Sequence, residues 1–143
     1  MNKYFANYEQ SLELKQLGFN EPCFGYYRKD AVVGNPFEYN IDYCTKAELD
    51  HGLCPKNSEF INDWVAAPLK SQVFEWFRDK HKLYHTINMF GDWDKPQYSY
   101  IVSGRTMNNP AHMWHFEDKY SHEEAEDACI DKLIEIVKQK QNG

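Results

Sequence analysis

The chain has 143 residues, of which 16% are aromatic and 27% charged, with a formal net charge of −6. That length suits one ordinary domain and the composition is the reverse of a disordered one. The acidic balance offers duplex nucleic acid no general attraction, and no run approaches the roughly 18 apolar residues of a membrane-spanning helix.

Elements can be assigned in chain order. Asn7 caps a helix from about Tyr8 to Leu17, and Gln10 three residues on makes an approximate capping box. Tyr8, Leu12 and Leu17 share its inward face, with Leu14 at the margin. Leu17-Gly18-Phe19 reads as a helix stop, with glycine in the left-handed position. Phe24–Arg28 has the aromatic content of a strand, and Lys29-Asp30 turns it toward Ala31–Val33.

From Gly34 to about Glu59 periodicity is lost. Asn35-Pro36, His51-Gly52 and Cys54-Pro55 are breakers, and a short helical piece falls around Thr45–Leu49. A loop of this length, taken as residues 34–66, is often functional, which makes it the expected seat of specificity.

The next helix begins near Pro68, whose missing N–H costs nothing in a first turn. Leu69, Val73, Trp76 and Phe77 form its inward stripe, while Phe74 lies off it, either widening the buried face or sitting exposed at an interface. Arg78, Lys80, His81 and Lys82 place positive charge at its C-terminal end, where the helix dipole favours it. The period then falls to two. Leu83, His85, Ile87 and Met89 alternate with Tyr84, Thr86, Asn88 and Phe90. A turn at Gly91–Pro96 leads to a strand Gln97–Ser103 with Tyr98, Tyr100 and Val102 on one face, so that the pair makes a hairpin. Gly104–Ala111 reads as a polar loop and His112–Glu117 as a further strand. Ser121 and Glu124 start the last helix, whose stripe is Ala125, Ala128, Cys129, Leu133, Ile136 and Val137, with Ile130 and Ile134 beside it. The acids Glu117, Asp118, Glu123, Glu124, Glu126 and Asp127 make one end negative.

The fold class that follows is α+β: a single domain over residues 1–143, with a small antiparallel sheet of three to five strands packed against about three helices. The order is helix, strand or hairpin, loop, helix, hairpin, further strand, helix.

Chemistry has fewer signals. Cys44, His51 and Cys54 lie within eleven residues and are zinc-type ligands, but their spacing matches no zinc motif, and unpaired cysteines usually pack as small apolar groups. His112 and His115 stand near Glu117 and Asp118, yet on a strand they face opposite ways. No nucleophile elbow and no phosphate-binding glycine loop is present, so no catalytic residue and no cofactor is expected. Tyr26, Tyr39, Tyr43, Phe74, Tyr98 and Tyr100, with Arg105, are the residues that could bind a ligand or partner. Aromatic rings give large contact area at low entropic cost, although packing between sheet and helices is their commoner role.

Three stretches carry a resemblance: Tyr8-Glu9 with Leu14–Tyr27, Ala67–Arg78, and Tyr120–Ala125 with Lys132–Ile134. In these the chain resembles a group of small proteins of bacteriophages and prophages, especially of Bacteroidetes-type hosts, with no known activity. Residues 34–66 match least. The resemblance implies a mobile-element accessory protein. The expectation is therefore a non-catalytic binding module in the host cytoplasm, acting on a host protein or small ligand. The alternative is a small nucleotide-binding protein or enzyme, with a pocket between the 34–66 loop and an aromatic sheet face. Neither a membrane nor nucleic acid is an expected partner.

Overall fold

The structure, a computed structural model, describes residues 2–29, 39–60, 63–106 and 109–142. It is α+β, as the sequence reading has it, and divides into two compact units, Met1–Leu69 and Lys70–Gly143. Where the sequence suggests one sheet, the six strands among the described residues form two antiparallel sheets of three.

The first unit holds α1 (Tyr8–Gln16), β1 (Gly25–Lys29), β2 (Tyr39–Tyr43), α2 (Lys46–Asp50) and β3 (Val65–Ala67). The capping box of α1 forms in both directions: Asn7 Oδ1 accepts from Gln10 N at 2.8 Å, and Gln10 Oε1 accepts from Asn7 N at 3.1 Å. At the other end Gly18 has φ +96°, and the Phe19 and Gly18 amides donate to the Leu14 and Lys15 carbonyls. That paired arrangement is the Schellman stop, and it needs a residue that tolerates the left-handed region. The helix turns a different face inward from the one the apolar spacing suggests. Leu14, Ser11 and Gln10 are buried, whereas Leu12 and Leu17 are half-buried. Gln10 turns inward with the cap it completes, and Ser11 Oγ donates to the Ala6 carbonyl at 3.4 Å.

The segment 34–66 is the main correction. It carries strands β2 and β3, and both flank β1 in the order β2-β1-β3. The period of two in Tyr39-Asn-Ile-Asp-Tyr43 is the signal for β2. Strand β3 is three residues long and buried throughout, too short for any period to show. The expected strand Ala31–Val33 lies outside the described residues.

Polar side chains tie this segment down. Asn57, buried, donates from Nδ2 to the Phe19 carbonyl at 2.8 Å and accepts at Oδ1 from the Ala66 amide at 2.9 Å. Asn20 Oδ1 accepts from Ser58 N, and Cys23 N donates to the Pro55 carbonyl. Helix α2 has its own capping box, Thr45 with Glu48.

The second unit holds α3 (Lys70–His81), β4 (Leu83–Asp92), β5 (Lys95–Thr106), β6 (Asn109–Tyr120) and α4 (His122–Asn142). Helix α3 starts two residues after Pro68, because Leu69 makes an isolated bridge with Phe5 and packs beside the Phe5, Tyr27 and Ala67 cluster of the first unit. Val73, Trp76 and Phe77 keep the inward stripe, and Phe74 widens it. Lys82 leaves the helix at φ 55°, its Nζ donating to the Asp79 carbonyl at 2.9 Å.

The hairpin is tighter than the sequence suggests. Pairing continues from Leu83↔Gly104 to Asp92↔Lys95, leaving Trp93 and Asp94 as the turn. Leu83 is buried against Gly104. A Cβ at position 104 would meet Leu83 Cδ2 at 2.6 Å, so only glycine permits this approach. The expected polar loop after Ser103 is instead strand, since β5 runs to Thr106 and β6 begins at Asn109. Helix α4 is capped by Ser121, whose Oγ accepts from Glu124 N at 3.2 Å. Its Ala125, Cys129, Ile130, Leu133, Ile134, Ile136 and Val137 are buried. Lys70, nearly enclosed, meets Asp127 at 3.1 Å, which satisfies a charge that burial would otherwise leave uncompensated.

Candidate functional site

In the first unit the strand alternation of β1 separates its two tyrosines. Tyr27 is buried, and its hydroxyl donates to the Ala6 carbonyl at 2.6 Å, while Tyr8 meets its ring edge-on. Tyr26 is half-buried beneath two aromatics from the 34–66 segment. Trp64 stacks on it at 5.3 Å and 21°, and Phe60 lies 5.6 Å away. Phe60 and Trp64 also meet each other at 6.1 Å. These rings were not singled out by spacing, because they come from a stretch without period. Tyr43 is exposed at the end of β2, tilted against Phe5 at 5.7 Å. The Tyr39 side chain lies outside the described residues.

Cys44 adjoins Cys54. Its thiol donates to the Cys23 carbonyl at 3.3 Å, and its pKa is pushed up to about 12, first by burial and then by Cys54 and Glu48. His51 is exposed. Among the described residues no group of three or more His, Cys, Asp or Glu could hold a metal ion. A raised thiol pKa is the opposite of what a nucleophile requires, since the thiolate is the reactive form. Cys129 behaves alike: burial, with Glu126 adding to it, pushes its pKa up to about 12.

In the second unit the candidate aromatics fall mostly inside. Phe74 is 5% exposed and lies flat on His85, with centroids 3.6 Å apart at 9°. Tyr100 is 4% exposed. Both are therefore core groups, closed to a partner, because α3 packs on β4 and α4 packs on β5. Tyr98 is half-buried and meets His122 edge-on at 5.4 Å. The Arg105, His112 and His115 side chains lie outside the described residues. His85 has its pKa lowered by burial and then by the Arg78 charge. His81, packed with Trp76 and Phe77, is lowered by burial and then by Lys140. Both imidazoles are held toward the neutral form inside aromatic packing.

What spacing missed lies on the β4–β5 hairpin. Tyr84, Met89 and Phe90 on β4 are 49%, 52% and 40% exposed, and Trp93 at the turn is 93% exposed. A tryptophan within a turn of Gly, Asp and Lys was the available signal, because turns project from a sheet and nothing local can cover them. Gly91 has φ +88°, and an added Cβ there would press on the Lys95 carbonyl at 3.2 Å, so the turn that presents Trp93 depends on glycine. No helix among the described residues is long and apolar enough to cross a membrane. Comparisons of the chain with protein-family models, with curated proteins and with solved structures gave no match.

Proposed function

We propose that the protein is a non-catalytic binding module, of the phage or prophage accessory type that its sequence resembles. In this reading it engages a host protein in the host cytoplasm through the β4–β5 hairpin. The observation that carries the reading is Trp93, almost wholly exposed at the tip of a two-residue turn, with Phe90 and Met89 behind it. An indole in water forgoes the burial it could gain against a partner, and tryptophan is the residue most enriched at binding hot spots. The strands are paired without a break up to the turn, and such pre-ordering lowers the entropic cost of docking.

The titratable groups support a non-catalytic role. Cys44 and Cys129 are shifted away from the thiolate, and His81 and His85, half-buried against neighbouring rings, are shifted toward the neutral form. A small-ligand site between the 34–66 segment and the sheet would have to part Tyr26, Phe60 and Trp64, whose rings already pack against one another.

The test is affinity capture from host extract with the wild type, followed by reconstitution with the purified partner. Trp93→Ala is expected to weaken that pair by roughly thirtyfold, the ratio that a hot-spot loss of about 2 kcal/mol represents. Equal affinity of the variant and the wild type, with unchanged circular dichroism, overturns the reading.

A further inference from the structure

The sheet order β4-β5-β6 leaves β4 at one margin and β6 at the other, and the two margins are built differently. Natural sheets blunt their edges with charge, proline or bulges, because a bare edge offers unpaired N–H and C=O groups to any extended strand. The β6 margin has such devices. Its sequence carries Pro110, Glu117, Asp118 and Lys119, and its pairing with β5 shifts register between Tyr98 and Tyr100 and again between Gly104 and Thr106. The β4 margin has none of them. Its ten residues hold no lysine, arginine, glutamate or proline, and the one formal charge is the terminal Asp92. Its pairing with β5 is unbroken from end to end. Among the described residues no strand pairs with its outer side.

We propose that β4 pairs antiparallel with β4 of a second copy of this chain, about a two-fold axis at Ile87. This rests on the reading of the hairpin as a binding arm and deepens it. The tip remains for the host protein, and the flank takes the second copy. A two-fold interface must be self-complementary, so each residue at a given distance before the axis faces the one at the same distance after it. With the axis at Ile87, Tyr84 faces Phe90, His85 faces Met89, and Thr86 faces Asn88. At both ends Lys82, the residue before β4, falls opposite Asp92. Each exposed apolar side chain of β4 thus gains a cross-strand partner, and each exposed end charge gains an opposite one. Moving the axis to Asn88 sets Tyr84 against Asp92, and moving it to Thr86 sets Lys82 against Phe90. The side-chain pattern selects the Ile87 register, and the product is a six-stranded sheet.

The test is sedimentation of the full-length chain from micromolar to hundreds of micromolar concentration. The expected species has twice the 17.0 kDa mass of one chain. Thr86→Lys with Asn88→Lys sets lysines opposite each other at the centre of the interface and is expected to yield a monomer with unchanged circular dichroism. Lys82→Asp is expected to weaken association roughly tenfold, since two symmetric pairs become repulsive, and adding Asp92→Lys is expected to restore it. A wild type that stays monomeric, a double-lysine variant that stays dimeric, or a charge exchange that does not restore association overturns the proposal. None of these outcomes depends on capture of a host protein, which Trp93→Ala tests separately.

Discussion

The Met1–Leu69 unit is organised by polar side chains that reach backbone groups far along the chain. Asn57 spans 38 residues to Phe19, Tyr27 reaches Ala6, and Lys15 Nζ reaches the Trp64 carbonyl at 3.1 Å. In the Lys70–Gly143 unit the same task falls to apolar stripes on two helices, laid against long paired strands. Short strands offer few cross-strand pairs, so the first unit depends on directional bonds, each expensive to leave unmade. The second depends on close packing, where volume is what counts. The two should therefore fail in different ways.

The largest effect is expected in the second unit. Phe77→Ala empties a fully buried ring site and should cost about 3–5 kcal/mol, read from denaturant unfolding. If the contrast holds, hydrogen exchange should rise across α3 and α4 while the amides of β1 and β3 keep their protection. The counterpart in the first unit is Asn57→Ala, which removes the bonds to the Phe19 carbonyl and the Ala66 amide. It should cost about 2–3 kcal/mol, with exchange rising first at Ala66. Equal loss of protection in both units for either variant would dissolve the distinction.

The smallest effect is a dependence on pH. His81 and His85 have lowered pKa values in the folded protein, so the unfolded chain takes up protons first. Stability conferred by the neutral imidazoles is then present above the unfolded value of about 6.5 and is lost as pH falls below it. Urea midpoints of the second unit should drop between about pH 7 and about pH 5, and His81→Gln with His85→Phe should flatten that drop. An equal drop in the variant would assign the effect to other groups.

The same contrast governs what could be read from the chain. The caps of α1 and α4, the glycine stop after Leu17 and the hairpin alternation are local signals spanning three to five residues, and they mark elements that the structure contains. Strand β2 shows in the sequence only as a five-residue alternation, and β3 not at all. Tyr39–Tyr43 sits among breakers, and Val65–Ala67 is identified as a strand only by pairing with β1 some forty residues earlier. Of the candidate site residues, Tyr26 and Tyr43 lie where a surface could form, whereas Phe74 and Tyr100 are core. Strand period says which side chains share a face, and not what covers that face.

By itself the sequence determined the α+β class, the positions of three helices and the existence of the hairpin, because hydrogen bonds and apolar faces repeating over a few residues set these. Tertiary structure alone decided three things: that the strands divide between two sheets, that a stretch interrupted by breakers supplies two of those strands, and that Trp93 and, among the described residues, the β4 flank stand uncovered. Each of those depends on which distant segments meet, and residues at such separation carry no mark of one another in the order of the chain.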